Sequence, residues 1–354
     1  MRLLLLGGTK FVGRAVAEEA VARGWEVTAL NRGTQPAPEG VTVLRGDRTA
    51  EGGLDALAAG EWDAVVDTWS WAPAAVRACA RLLKDRVGHY VYVSSCSVYD
   101  YPKPAAADES AAVVGAAPDA TGEVPYAEAK RGAELALEEE FGGSAVYARA
   151  GLVLGPYENI GRLPYWLDRI ARGGPVLAPG PRELPLQFID ARDLAAWMLD
   201  ATAARLGGPY NVVSPPGHAT IGAVLEECVR ATGSDADLRW TDPERIVAAG
   251  VEPWTELPIW VPPGELHDYL HDANVDRAVA DGLRCRPVAE TVRDTWAWLE
   301  SIGGRAPQRA DRPFAWLAAE REAELLKSLG SSGNRASAPA VDQLPVRLDE
   351  VRQP

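Results

Sequence analysis

The feature that most constrains the fold is a rhythm. Short apolar runs at residues 3–6, 26–30, 42–44, 64–66, 90–93 and 145–148 alternate, through the first half, with amphipathic stretches of helical length at 11–23, 74–84 and 126–141. Strand, helix and strand repeated in this way predict a parallel sheet, because parallel neighbours need a crossover of about a dozen residues or more. The expected fold class is α/β with a doubly wound parallel sheet, which takes its ligands at the carboxyl ends of the strands. After residue 151 the rhythm loosens. Segments rich in Pro and Trp at 173–185 and 253–263 separate helical patterns at 163–172, 191–204 and 221–232.

The first strand runs into Gly7-Gly8-Thr9-Lys10-Phe11-Val12-Gly13. Glycine permits the tight turn, and the helix that follows presents free N–H groups and a positive dipole end to a pyrophosphate. A strand, a glycine-rich turn and a helix at the start of a βαβ pattern make this a Rossmann-type dinucleotide site. Gly7, Thr9, Lys10, Phe11, Val12 and Gly13 are its candidate contacts. Lys10 replaces the middle glycine of the usual fingerprint, where its side chain crowds the backbone approach but brings an ammonium within reach of phosphate. The second strand ends in Asn31-Arg32-Gly33. No carboxylate stands there to hold a ribose 2′-hydroxyl or repel a 2′-phosphate, and Arg32 can pair with one, so NADP is favoured over NAD. Asp47 is placed to accept from the adenine amino group, and Thr68 and Trp69 end the fourth strand beside the cofactor trough.

Tyr126 and Lys130 stand four apart, on one helical face. An ammonium there lowers the phenol's pKa and holds a ribose, and a serine from the preceding strand end shares the substrate oxygen. Val93-Ser94-Ser95-Cys96-Ser97-Val98-Tyr99 supplies that serine. With glycine loop, serine-rich strand end and YxxxK pair in this order, the sequence resembles the short-chain dehydrogenase/reductase superfamily, in its extended and atypical branches of the NAD-dependent epimerase/dehydratase type. The resemblance covers about residues 2 to 300 and includes the segments 149–156 and 187–195. It implies that Ser95 is the catalytic hydroxyl, Tyr126 the general acid/base, and Lys130 its activator and a ribose ligand, with Ser94 beside the cofactor.

Departures from the family pattern narrow the chemistry. Dehydratases of this type place an Asp-Glu pair after the catalytic hydroxyl, where Cys96-Ser97 stands here. Nucleotide-sugar enzymes often carry an arginine at the slot of Leu186, so a substrate without a nucleotide handle is in view. Trp71, Cys96, Ser97 and Trp166 are candidate substrate contacts; the large aromatic rings suit a flat or cyclic molecule or else serve as packing.

The expected organisation is a dinucleotide-binding unit over 1–150, which includes the catalytic residues. A substrate lobe follows over 151–302 with some segments returning to the first unit, and then a C-terminal helix and flexible tail over 303–354. The expected function is an NAD(P)-dependent oxidoreductase acting on a carbonyl or carbinol carbon of a small, cyclic or sugar-like metabolite. The alternatives are a sugar or nucleotide-sugar epimerase and, from another class, a non-catalytic dinucleotide-binding regulator.

Lys and Arg total 36 against 50 Asp and Glu, for a net charge of −14, a field that repels phosphate backbones and argues against nucleic-acid partners. The four cysteines are scattered without a CxxC pair, which fits a reducing cytoplasm. No stretch approaches the ~18 apolar residues of a membrane span. His267 and His271 have the spacing of a metal-binding pair, but no third ligand accompanies them and no metal is expected. A homodimer is expected, through the 126–141 helix with its Leu135 and Leu137. The competing arrangement is a monomer in which residues 313–329 fold back over that surface.

Overall fold

The computed structural model describes residues 1–305 and 315–331. The first half runs β1 (Arg2–Leu6), α1 (Phe11–Ala22), β2 (Glu26–Asn31), β3 (Val41–Arg45), β4 (Ala64–Asp67), α2 (Ala74–Leu83), β5 (Tyr90–Ser95), α3 (Tyr126–Phe141) and β6 (Ala145–Ala150). The second continues through β7 (Leu152–Leu154), α4 (Arg162–Ala171), β8 (Pro175–Pro179), β9 (Pro185–Leu186), β10 (Phe188–Asp190), α5 (Ala191–Ala203) and β11 (Gly208–Val212). It closes with β12 (Ala219–Thr220), α6 (Ile221–Thr232), β13 (Asp237–Thr241), α7 (Pro243–Ala248), α8 (Glu265–His271), α9 (Asp276–Ala280), α10 (Val288–Ser301) and α11 (Ala319–Ser331).

Seven strands form one parallel sheet in the order β11-β6-β5-β4-β1-β2-β3, the doubly wound α/β fold expected from the apolar rhythm. Central strands covered on both faces must be largely apolar, and β1 and β4 satisfy this with Leu3 to Leu6 and Ala64 to Val66 buried, the exception being the equally buried Asp67 at the end of β4. On one face α1 turns Ala15, Val16, Ala17 and Ala20 inward and packs on α5; on the other, α2 and α3 pack together. Strand order reverses between β1 and β4, so the crevice at their carboxyl ends is where such a sheet binds ligands.

The second lobe has its own core, built from α4, α6, α10 and the β8–β13 pair around the buried Trp166 and Trp260. Two segments of the second half belong to the sheet unit: β11 is an edge strand against β6, and α5 lies on α1.

Three local expectations are corrected. Residues 103–124, whose density of Ala, Asp, Glu and Pro predicts a long mobile loop before α3, are tied down: the Glu109 carboxylate accepts from the Asn211 backbone N–H at 2.7 Å, and Arg149 donates to the Glu109 carbonyl. The C-terminal helix does not cover α3. Instead α11 docks on the second lobe, with Leu317, Leu325 and Leu326 against its core and Glu322 accepting from Arg169 and from the backbone of Leu177. Residues 306–314, of which 313 and 314 begin the segment expected to fold back, and the tail from 332 onward lie outside the described residues. Finally, Leu137 is enclosed against the sheet, so of the two leucines invoked for a dimer seam only Leu135 is partly exposed; Glu128, Glu138 and Glu139 occupy the outward positions.

Candidate active site

A cleft of about 1450 Å³ opens along the carboxyl ends of the sheet and reaches into the second lobe. It is larger than the ~300–1,000 Å³ typical of one small-ligand pocket, which leaves room for two ligands side by side. The glycine loop forms one end. Gly7 and Gly8 hold φ of +125° and +93°, conformations that side-chain-bearing residues rarely adopt. A Cβ on Gly7 would sit 2.3 Å from the Thr68 hydroxyl, and one on Gly13 would sit 2.7 Å from the backbone nitrogen of Gly8. The loop is therefore bare backbone pressed against the first turn of α1. Lys10 is the residue that precedes the helix and offers it no side-chain cap, so the N–H groups of that turn are open to an anion.

Asn31, Arg32, Asp47, Thr68 and Trp69 all line the same cleft, as do Thr9, Lys10, Phe11 and Val12. The Asn31 side-chain carbonyl accepts from the Gly33 N–H at 2.8 Å, which leaves its amide nitrogen enclosed without an acceptor among the described residues. An orphaned donor at the end of β2 suits a ribose 2′-oxygen or its phosphate. Asp47 is held in a turn by the backbone and hydroxyl of Thr49, both on one carboxylate oxygen, and these bonds lower its pKa. These residues fit a dinucleotide.

At the middle of the cleft α3 delivers Tyr126 half-buried and Lys130 buried one turn on. Lys130 Nζ donates to the carbonyls of Trp69 and Val93, each at 2.7 Å, and lies 5.7 Å from the Tyr126 ring centre. Burial pushes this ammonium down to about 7, against the opposing pull of Asp67 and Glu134. Ser95 closes β5 and caps the short turn Cys96–Val98, its Oγ accepting from the Ser97 N–H at 3.1 Å, so that its own O–H is left to donate. Ser95, Tyr126 and Lys130 all line the cleft.

Ser94 also lines it, but its hydroxyl is turned to α3 and donates to Glu134 at 2.7 Å. That carboxylate is enclosed beneath the site and is also held by Arg149 and Arg131, a braced support for α3. Cys96 and Ser97 border the cleft; burial pushes the Cys96 thiol up to about 11, and the thiol donates to the Arg149 carbonyl. Trp71 is 44% exposed at the rim, in contact with Trp69. Trp166 is no site residue: it is fully buried in the second-lobe core, its indole donating to the Pro258 carbonyl. The amphipathic pattern of α4 placed that face inward. His267 donates from Nε2 to the Pro185 carbonyl, His271 is buried against Gln187, and among the described residues no cluster is arranged to hold a metal ion.

Sequence reasoning missed two groups. Arg48, next to Asp47, forms a bidentate ion pair with Asp67 at 2.7 Å in each limb, with both side chains buried, and lies over the Trp69 ring. In the second, Arg14 of α1 stacks on Tyr157, which in turn packs on Trp298 of α10, joining the two lobes beside the glycine loop. The partners lie far apart in sequence; only the charge of Arg48 beside a candidate adenine ligand could have drawn attention to it.

The model of the NAD dependent epimerase/dehydratase family matches residues 3–213. No curated protein matches the chain. Among solved structures, a protein of Burkholderia cenocepacia J2315 is similar with a TM-score of 0.64 and 22% identity, over 85% of this chain and 98% of that one. The UDP-glucose 4-epimerase of Thermus thermophilus, in complex with NAD, gives 0.61 and 20%, over 85% and 99%. The enzyme WbmH of Bordetella bronchiseptica, in complex with NAD+, gives 0.61 and 18% over the same shares.

Proposed function

The chain belongs to the NAD dependent epimerase/dehydratase family, and from that premise we propose that it moves a hydride between a nicotinamide and a carbonyl or carbinol carbon of a small metabolite, with Ser95, Tyr126 and Lys130 as its machinery. The observation that carries the reading is the meeting of Tyr126, Lys130 and Ser95 in the cleft that the glycine loop enters. A bound nicotinamide dinucleotide supplies or accepts the hydride. In the reducing direction Tyr126 gives its phenolic proton to the substrate oxygen, and Ser95 donates a hydrogen bond to the same atom. Lys130, fixed through two of its N–H groups by backbone carbonyls, has the third left for the cleft and stabilises the phenolate that results.

The bound dinucleotide is proposed to be NADP, because Asn31 and Arg32 offer only donors at the end of β2. The substrate is proposed to lie against Trp71, Cys96 and Ser97, and to lack a nucleotide handle, since Leu186 is buried and contributes no charge to the cleft. The same residues also serve an epimerase, in which the hydride returns within one cycle. The Thermus neighbour's name favours that second reading. Nicotinamide absorbance followed with a panel of cyclic ketones and sugars separates them: net NADPH consumption is expected, and product without consumption indicates the epimerase. Tyr126→Phe is expected to abolish turnover and keep dinucleotide binding; wild-type turnover in that variant would remove the mechanism.

A further inference from the structure

The Asp67 carboxylate, at the end of β4, is fully enclosed and receives four donors: both terminal nitrogens of Arg48, the Tyr90 hydroxyl at 2.7 Å and the backbone N–H of Trp69 at 3.0 Å. Trp69 is thus tied at its N–H to Asp67, while its carbonyl accepts from Lys130 at 2.7 Å and from the Tyr92 hydroxyl at 2.9 Å. Its indole donates to the Ala72 carbonyl, and its ring lies 5.0 Å beneath the Arg48 guanidinium. The chain of contacts runs without a gap from Arg48 to Lys130. A buried ion pair gives little net stability compared with an apolar pair of the same shape, because both charges must leave water. Its presence in the wall of the cleft therefore calls for a reason other than stability.

We infer that Arg48 and Asp67 are positioning residues for Lys130: the pair fixes the Trp69 carbonyl that holds the ammonium, and its balanced charges set how strongly the site favours Lys130 as a cation. The inference rests on the reading of Lys130 as the amine of the reaction. Among the described residues, the charged and titratable groups around that ammonium are Asp67 from β4, with Arg48 behind it, Tyr92 from β5, and Tyr126 and Glu134 from α3 itself. Glu134 is paired with Arg149 and Arg131 in the same manner, but Asp67 has the larger influence of the two carboxylates and is the one bonded to the Trp69 N–H, so the Asp67–Arg48 pair is the one through which a substitution acts on both the charge and the anchor of Lys130.

That gives a signed test. Removing the anion leaves Arg48 as an unbalanced neighbour and disfavours the ammonium. Removing the cation leaves Asp67 unbalanced and favours it. The chain has five lysines, Lys10, Lys84, Lys103, Lys130 and Lys327, so the full protein labelled with 13C at lysine Cε gives five resolvable signals, and Lys130→Arg assigns the one of interest. In Asp67→Asn the titration midpoint of Lys130 is expected to fall by about one pH unit, and in Arg48→Met to rise by a comparable amount, while Arg48→Lys restores the wild-type value. Where either charge variant fails to fold, Tyr90→Phe removes one donor from the carboxylate and is expected to shift the midpoint upward by less. Midpoints that stay within about 0.3 unit of wild type, or that move in the same direction in both variants, overturn the inference and leave the pair a purely structural brace. The titration needs no substrate, so its failure is distinguishable from failure of the Tyr126→Phe assay, which bears on the reaction itself.

Discussion

Replacing Lys130 by methionine tests the burial of its ammonium directly. Burial lowers the group from its ordinary 10.5 to about 7, so across that interval the unfolded chain binds more protons than the folded one, and stability rises with pH. The penalty is fully present below pH 7, shrinks through the alkaline range and is gone above 10.5. Integrated from pH 7 to pH 9, the gain is roughly 2 kcal/mol. Lys130→Met has no such group. The stability of wild type minus that of the variant should therefore grow by roughly 2 kcal/mol over the same two units. The lost hydrogen bonds to the Trp69 and Val93 carbonyls do not titrate there and cancel from the comparison. Urea denaturation of both proteins at the two pH values, without added dinucleotide, measures it. A difference that is flat within about 0.5 kcal/mol, or that falls with pH, refutes the reasoning and means that the ammonium is solvated.

Arg32→Ala is expected to weaken NADP binding by roughly 1–3 kcal/mol and leave NAD nearly unchanged; calorimetric titration of both dinucleotides checks it, and equal losses would show that Arg32 does not read a 2′-phosphate. Gly13→Ala drives a Cβ into the Gly8 backbone and should cost about 1–3 kcal/mol of stability together with dinucleotide affinity, measured by thermal melting with and without NADPH; an unaltered melt would mean that the loop can shift. Homodimerisation through α2 and α3 is proposed on the ground that α11 leaves that face uncovered: light scattering at micromolar concentration should give twice 37.9 kDa, and a value near 37.9 kDa rejects the seam.

The sheet, the glycine loop and the Ser95–Tyr126–Lys130 constellation were legible because each rests on a local signal: apolar runs, a turn that only glycine permits, and an i,i+4 spacing on a helix. Trp166 was misplaced because large aromatic rings look alike in sequence whether they line a cleft or fill a core. Arg48 was passed over for the opposite reason. Its partner Asp67 is 19 residues away at the end of β4, whereas Arg48 lies in the loop after β3, and nothing in the intervening sequence marks two opposite charges as a buried pair. The anchoring of residues 103–124 was equally hidden, since Glu109 finds its backbone donor at Asn211, 102 positions on.

The return of the chain to the sheet through α5 and β11 has a consequence for how the molecule is made. When a ribosome has released only the first 150 residues, β6 is an open edge with unpaired backbone groups, and the apolar face of α1 lacks the helix that covers it. Exposed edges of this kind recruit other chains. The nascent protein must therefore wait until residue 212 has emerged before its first sheet can close, and a fragment cut at the apparent boundary after β6 should aggregate on expression, whereas one that extends through β11 gains the missing strand and helix.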